Sequence, residues 1–312
     1  MLSVKDSFLG FCGVTRKGKT EMNEVDGQPK NESLEGYDPT DYAEFPIFLL
    51  GTGRCGSTLL QKILNSVDNV MIYGEHGGFL RQIAEAYFLN MEDKKIAKYI
   101  MSQNAAKEDP TSVFESLKDP QLWSSWTNWY NQETVKRNFR DFTESFFNPI
   151  ALGRKVHWGF KEIRYGLNDR VLEMLADLYP AGRFIFIVRH PVDVVASKIS
   201  ARMSDGIETD AHCWVDQNTN FLNFYRLNKE RSIIVRYEDL IGSNSRQVDQ
   251  LFDWLGFPLT DKQTNIIEVT KPSYHGRPRP ARLTDSQIDE INKITKKLRK
   301  QLGYPSRSLK SV

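Results

Sequence analysis

The sequence predicts an α/β fold, a mostly parallel central sheet flanked by helices. Three observations carry that expectation. Several short runs are continuously apolar rather than alternating, as strands covered on both faces are. Segments with helical spacing lie between them. A glycine-rich turn joins the first such strand to the first such helix, in FPIFLLGTGRCGSTLL at residues 45–60.

The elements follow in order. FPIFLL reads as a buried strand, and TLLQKILNS as a helix with Leu59, Leu60, Ile63 and Leu64 on one side. NVMIYGE and KVHWGFKE read as the second and third strands. NDRVLEMLADLYP reads as a helix capped by Asn168 or Asp169, with Pro180 just beyond it. GRFIFIVRHP is the strongest strand of the chain, apolar from Phe184 to Val188 and followed by Arg189. HPVDVVASKISARM then reads as a helix, with Pro191 suited to its first turn. RSIIVRYEDL is a fifth strand, and VDQLFDWLGFP a helix stopped at Gly256 and Pro258. The last helix is LTDSQIDEINKITKKLRKQLGYP, where Thr284 and Gln287 fit a capping box. Strands alternating with helices imply a parallel sheet. Two stretches stand outside this rhythm. Residues 1–43 are polar and weakly periodic, and are expected to form a partly ordered or disordered arm ahead of a main domain at 44–312. Residues 80–150 are helical in pattern and rich in aromatics, and are expected to form a helical insertion.

Composition narrows the function. With 312 residues, 40% hydrophobic and 26% charged, the chain is an ordinary globular protein with a sizeable core. A net charge of only +2 gives no global case for nucleic acid. Cys12, Cys55 and Cys213 have neither metal-ligand nor disulfide-framework spacing and read as free thiols. No apolar run approaches the ~20 residues that span a bilayer. MLSVKDSFLGFCGVTRKGKTE breaks its apolar stretch too soon for a signal peptide. The expected location is the cytoplasm, away from membranes.

The glycine-rich turn is an anion site. Backbone N–H groups of such a turn and of the following helical turn point at the ligand, and the helix dipole favours negative charge. Arg54, Gly56, Ser57 and Thr58 are its candidate donors. Cys55 lies in the same turn, either against the ligand or as a small filler. Gly51, Gly56, Ser57 and Thr58 nearly spell the phosphate loop of an NTPase, but Ser57 stands where that loop carries lysine. Strand FIFIV ends in Arg189, where an NTPase strand would end in a carboxylate for Mg²⁺. Arg189, with Ser197 on the next helix, therefore makes a second anion pocket. A nucleoside with anionic groups at both ends fits the pair, and Arg, Lys and N–H donors can stabilise a transferring sulfuryl group without a metal.

At this point the chain resembles the sulfotransferase family, whose donor is 3′-phosphoadenosine-5′-phosphosulfate (PAPS) and whose product nucleotide is PAP. GTGRCGSTLL is similar to that family's 5′-phosphosulfate loop, and FIFIVRHPVDVVASKIS to its 3′-phosphate motif. VRYEDLIGSNSRQVDQLFDWLGFP is similar to the segment that follows in bacterial and tyrosylprotein-type members. The resemblance implies a P-loop-like, nucleotide kinase-like fold over about residues 45–305. It implies that Arg54, Cys55, Gly56, Ser57 and Thr58 bind the 5′-phosphosulfate, and Arg189 and Ser197 the 3′-phosphate. Tyr237 would contact the nucleotide near that phosphate. Lys271 would be the late basic residue on it, with Arg277, Arg279 and Arg282 as alternatives. Glu75, in MIYGEHGG, matches the general base of the tyrosylprotein-type enzymes, and Lys161, in WGFKEIRY, their strand-end lysine. Lys161 and Arg54 would stabilise the sulfuryl group and the leaving phosphate. Small-molecule members use a histidine base instead, for which His76 and His157 are the candidates.

The implied activity is metal-free, in-line sulfuryl transfer to a hydroxyl or amine of a small molecule. The acceptor could be a specialised metabolite such as a saxitoxin-type guanidinium alkaloid, with His76, Trp123 and Trp126 on the acceptor side. Trp123, Trp126 and Trp129 recur at helical spacing, which suits either packing of a helical unit or an aromatic pocket wall. The alternatives are a degenerate P-loop kinase or NTPase, and a non-catalytic PAP-binding protein.

Overall fold

A computed structural model of the chain describes residues 45–92, 118, 121, 132–148, 156–242, 246–270 and 280–308. Five strands form its sheet: β1 (Ile47–Gly51), β2 (Val70–Tyr73), β3 (His157–Glu162), β4 (Arg183–Val188) and β5 (Ser232–Arg236). Their order is β2-β3-β1-β4-β5, and every neighbouring pair is parallel. This is the predicted fold class, and the five strands are those legible as apolar runs.

Side chains of a strand alternate between the two faces of its sheet, so β1 feeds two cores. Ile47 and Leu49 join Ile185 and Ile187 of β4 and the apolar side of α1 (Ser57–Leu64) on one face. Phe48 joins Phe160, Phe184 and Phe186 on the other, under α4 (Val171–Leu178) and α6 (Ile207–Leu227). Two covered faces explain why the strand sequences do not alternate. Helices α2 (Leu80–Glu92) and α3 (Gln132–Phe147) occupy the stretch read as helical and aromatic-rich, and both pack with α4.

The strand–helix pattern continues through α5 (Pro191–Ser200), α7 (Tyr237–Ile241), α8 (Arg246–Leu255), α9 (Asp261–Thr270) and α10 (Asp285–Gln301). Pro191 is in the first turn of α5, and the capping box of Thr284 and Gln287 is present in both directions. Gly256 ends α8 at φ 75°, a left-handed conformation that glycine takes without steric cost.

One cap differs from expectation. The N-cap of α4 is Arg170, at φ 49°, and not Asn168 or Asp169. Asp169 is drawn away by other partners: its carboxylate accepts the Gly166 N–H at 2.6 Å and pairs with Arg81 at 3.0 Å. The arm at 1–43, Cys12, Trp123, Trp126, Trp129, Lys271, Arg277 and Arg279 lie outside the described residues. Among those described, no helix is long and apolar enough to cross a membrane.

Gly159 is the tightest point of the sheet. A Cβ there would lie 1.7 Å from the carbonyl oxygen of Ile47, its partner at the start of the β1–β3 pairing. Gly159→Ala should therefore cost about 4 kcal/mol or more, the range of severe core disruption. Thermal melting by circular dichroism should show a collapsed midpoint or no soluble protein.

Candidate active site

All five strands run the same way, so their C-terminal ends share one edge of the sheet. The chain leaves β1 for β2 and β3 on one side and crosses to β4 and β5 on the other. In open parallel sheets such a reversal opens a crevice beyond the strand ends. A cavity of about 570 Å³ lies there, lined by residues that follow β1, β2, β4 and β5. They include Arg54, Gly56, Ser57, Thr58, Glu75, Arg189, Ser197 and Tyr237.

The turn after β1 is built from unusual backbone. Gly56 is the N-cap of α1 at φ 98°, and offers no side chain to the first N–H groups of the helix. Arg54 sits at φ 71°, a left-handed conformation that costs a non-glycine residue about 1–2 kcal/mol. Two contacts hold it there. Its Nε donates to Ser197 Oγ at 3.1 Å, and its carbonyl accepts from Arg189 Nη1 at 3.2 Å. The two candidate anion pockets, 135 residues apart in sequence, are thus stitched together.

Arg189 is further fixed by Tyr237, whose ring centroid lies 4.4 Å from the guanidinium carbon, a cation–π contact. The same ring closes over Gly56, where a Cβ would come within 2.2 Å of it. Arg189 Nε is buried without a hydrogen-bond partner among the described residues, leaving donor capacity in the cavity wall. His190 caps α5, the helix that carries Ser197. Its Nδ1 accepts the Val192 N–H at 3.3 Å, and its Nε2 donates to the Pro305 carbonyl at 3.0 Å.

Glu75 and Lys161 meet from different strands. Lys161 Nζ lies 2.6 Å from Glu75 Oε1, and at 3.4 Å makes a long contact to Thr58 Oγ1. Glu75 Oε2 accepts from Arg164 Nη2 at 3.1 Å. Lys161 is almost fully buried, whereas Glu75 is about one-third exposed, at 32%. Glu75 therefore lines the cavity, with Lys161 buried behind it.

Three expected residues are placed away from the cavity. The Cys55 thiol is buried in the core, against Gly51, and burial pushes its pKa up. Only the backbone of Cys55 belongs to the turn, where its N–H bonds Thr52. His76 is packed among Phe79, Phe147 and Phe160, with Nε2 3.1 Å from the Tyr165 hydroxyl. Burial lowers its pKa, against the opposing pull of Glu162. It is a packed, neutral ring rather than a cavity-lining group. His157 begins β3 and so lies at the opposite edge of the sheet, stacked near Phe45 and Phe257.

The structure also brings in residues that the sequence reading did not single out. Lys62 lines the cavity; it is one helical turn beyond Thr58, and that spacing would have found it. Ile163 and Met203 form an apolar part of the wall. Arg164 follows Lys161 by three positions but lies past the end of β3, where strand period no longer predicts direction.

The comparisons with known proteins identify the family. The model of the sulfotransferase family matches residues 46–261, more than half of the chain. The chain belongs to the sulfotransferase family and is a sulfotransferase. Its fold is similar to the sulfotransferase domain of the Synechococcus PCC 7002 olefin synthase, at 19% identity, TM-score 0.49, and coverage of 82% of this chain and 96% of that one. The sulfotransferase domain from the curacin biosynthetic pathway is similar at 19% identity and TM-score 0.48, covering 84% and 99% of the two chains. Sulfotransferase STF9 from Mycobacterium avium follows at 13% identity and TM-score 0.45, covering 87% and 79%. No curated protein sequence matches the chain.

His190 gives the site a pH limit. Burial, the leading cause, holds its pKa below the ordinary histidine value despite the Pro305 hydrogen bond. Its contribution to stability is complete above the unfolded value of about 6.5 and is lost as pH falls towards the folded value, since the unfolded chain protonates first. The depressed His76 acts in the same direction. The thermal midpoint should drop between pH 7.5 and pH 5.5, as read by melts in matched buffers at about those two values. His190→Asn, which caps without titrating, should show a smaller drop.

Proposed function

We propose that this sulfotransferase takes its sulfuryl group from PAPS and transfers it to a hydroxyl or amine of a small-molecule acceptor in the cytoplasm. The observation that carries the reading is one cavity in which two candidate anion pockets meet Glu75, a carboxylate paired from behind with the buried Lys161. The N–H groups and hydroxyls of Gly56, Ser57 and Thr58 would hold the 5′-phosphosulfate. Arg189, Ser197 and Tyr237 would hold the 3′-phosphate end of the nucleotide, and Lys271 is retained as the proposed late basic contact.

The proposed chemistry needs only side chains of this chain. The acceptor oxygen or nitrogen attacks sulfur as the bond from sulfur to the 5′-phosphate oxygen breaks. Glu75 takes the acceptor's proton. Lys161 and Arg54 stabilise the charge that builds on the sulfuryl and leaving phosphate oxygens, with no metal invoked. Arg54 would release Ser197 to do so.

Charge in the wall bears on the acceptor. Glu75 is the only carboxylate among the described lining residues, and Lys161 and Arg164 already pair with it. A guanidinium acceptor of the saxitoxin kind would have to compete with those two cations. Ile163 and Met203 instead offer apolar surface. A neutral alcohol with an apolar body is the better match, and an acceptor screen with PAPS should favour such alcohols over guanidinium compounds.

Calorimetric titration with PAP, and separately with ATP plus Mg²⁺, tests the donor. PAP should bind without metal and ATP weakly; the reverse preference would favour a degenerate kinase. Arg189→Ala should weaken PAP binding by about 2–4 kcal/mol, the loss of a charged partner at a buried anion. Unchanged affinity would remove Arg189 from the phosphate site. Glu75→Gln should abolish turnover while PAP affinity stays near the wild-type value. Activity retained within about three-fold would show that Glu75 is not the base.

A further inference from the structure

We propose that Glu162 is a positioning residue for Glu75, acting through the turn that carries Glu75 and through Arg164. The proposal rests on the reading of Glu75 as the base. Glu162 is completely buried, and its carboxylate receives four donors. Oε2 accepts the N–H groups of His76 at 3.1 Å and Gly78 at 2.9 Å. Oε1 accepts the Ile163 N–H at 2.8 Å and Arg164 Nη1 at 2.5 Å. Burial by itself would raise the Glu162 pKa, but the Ile163 hydrogen bond and the charge and hydrogen bond of Arg164 oppose it, and the pKa is held low. An ionised carboxylate can accept all four donors.

Two of those donors belong to the residues just after Glu75. That turn contains Gly77 at φ 75° and Gly78 at φ 73°, consecutive left-handed glycines. Glycines accept such backbone at little steric cost and also abandon it easily. The turn needs an outside template, and Glu162 supplies one from 84 and 86 residues away.

The second path runs through Arg164, whose guanidinium bonds Glu162 with Nη1 and Glu75 with Nη2. Lys161 and Glu162 are neighbours on β3 and so point to opposite faces of the sheet. Lys161 takes Glu75 Oε1 from one face, and Glu162 directs Arg164 to Oε2 from the other. Both oxygens of the candidate base are thereby fixed from one strand end. A side chain with a free terminal rotation would instead spend much of its time misaligned with the acceptor proton.

A structural role alone would spread the damage of a Glu162 variant over stability and donor binding; a positioning role concentrates it in turnover. Wild type, Glu162→Gln and Arg164→Gln are compared for PAP affinity by calorimetry and for PAP formation from saturating PAPS with naphthol as probe acceptor. Glu162→Gln should leave the Kd for PAP within about two-fold and slow PAP formation at least about ten-fold. A wild-type-like rate within about three-fold overturns the proposal. Should Glu162→Gln fail to fold, Arg164→Gln preserves the three backbone bonds to Glu162 and carries the test with the same thresholds. If wild type binds PAP but does not use naphthol, crystal structures with PAP decide: displacement of the Glu75 carboxylate by about 1 Å or more in the variant supports the proposal, and an unmoved carboxylate overturns it. A wild type that does not bind PAP strikes the PAPS reading itself.

Discussion

The pairing of β1 with β3 on one side and β4 on the other is the constraint on which the site depends. Parallel pairing sends the C-terminal ends of all strands to one edge, and placing β1 at the reversal point puts its glycine-rich turn between the two halves. Lys161 is in register with Leu49 and Ile187 with Gly51, so β3 and β4 deliver the lysine and the Arg189 segment to the two sides of the turn. A slip of one residue would exchange the faces of Lys161 and Glu162. The close approach at Gly159 is a mark of that register.

How much of this was legible in the sequence depends on whether the signal was local. Apolar runs identified the strands because each is covered on both faces, and the capping box of Thr284 and Gln287 is a four-residue signal that nothing distant overrides. The turn at residues 51–58 and the helix start after Arg189 were legible because both are made of local backbone; their role as anion sites is part of the proposed function. The α4 cap was misread because Asp169 is recruited by Gly166 and Arg81, and Arg81 is far away in sequence. Cys55 was ambiguous because a side chain in a tight turn can point outward or inward, and only packing against Gly51 decides. Glu162 and Arg164 were invisible as partners of Glu75 since their bonds span more than 80 residues.

Electrostatics show a second level of organisation. Arg54, Arg189, Lys161 and Lys62 crowd one crevice, and like charges at such proximity oppose one another. The fold offsets this with partners that carry little or no charge for Arg54 and Arg189: a hydroxyl, a carbonyl and the face of a tyrosine ring. Such partners orient the cations without neutralising them. Lys161 alone has a full counter-charge, and it is the most buried of the four. That division matches a site whose anionic ligand is expected at Arg54 and Arg189.

The Lys161–Glu75 pair then has two duties that pull against each other. Before a donor arrives, the carboxylate compensates a buried ammonium, and removing it would leave that charge unpaired. In the proposed transfer, the same carboxylate gains a proton and ceases to compensate, at the moment when negative charge builds on the transferring group. The ammonium can follow the charge from one partner to the other without moving far, so the exchange requires little reorganisation. This asks that Glu75 be held by something other than Lys161 while the exchange takes place. Arg164, itself anchored on the fully buried Glu162, is placed to do that, because it bonds both carboxylates while Lys161 also reaches Thr58 of the glycine-rich turn.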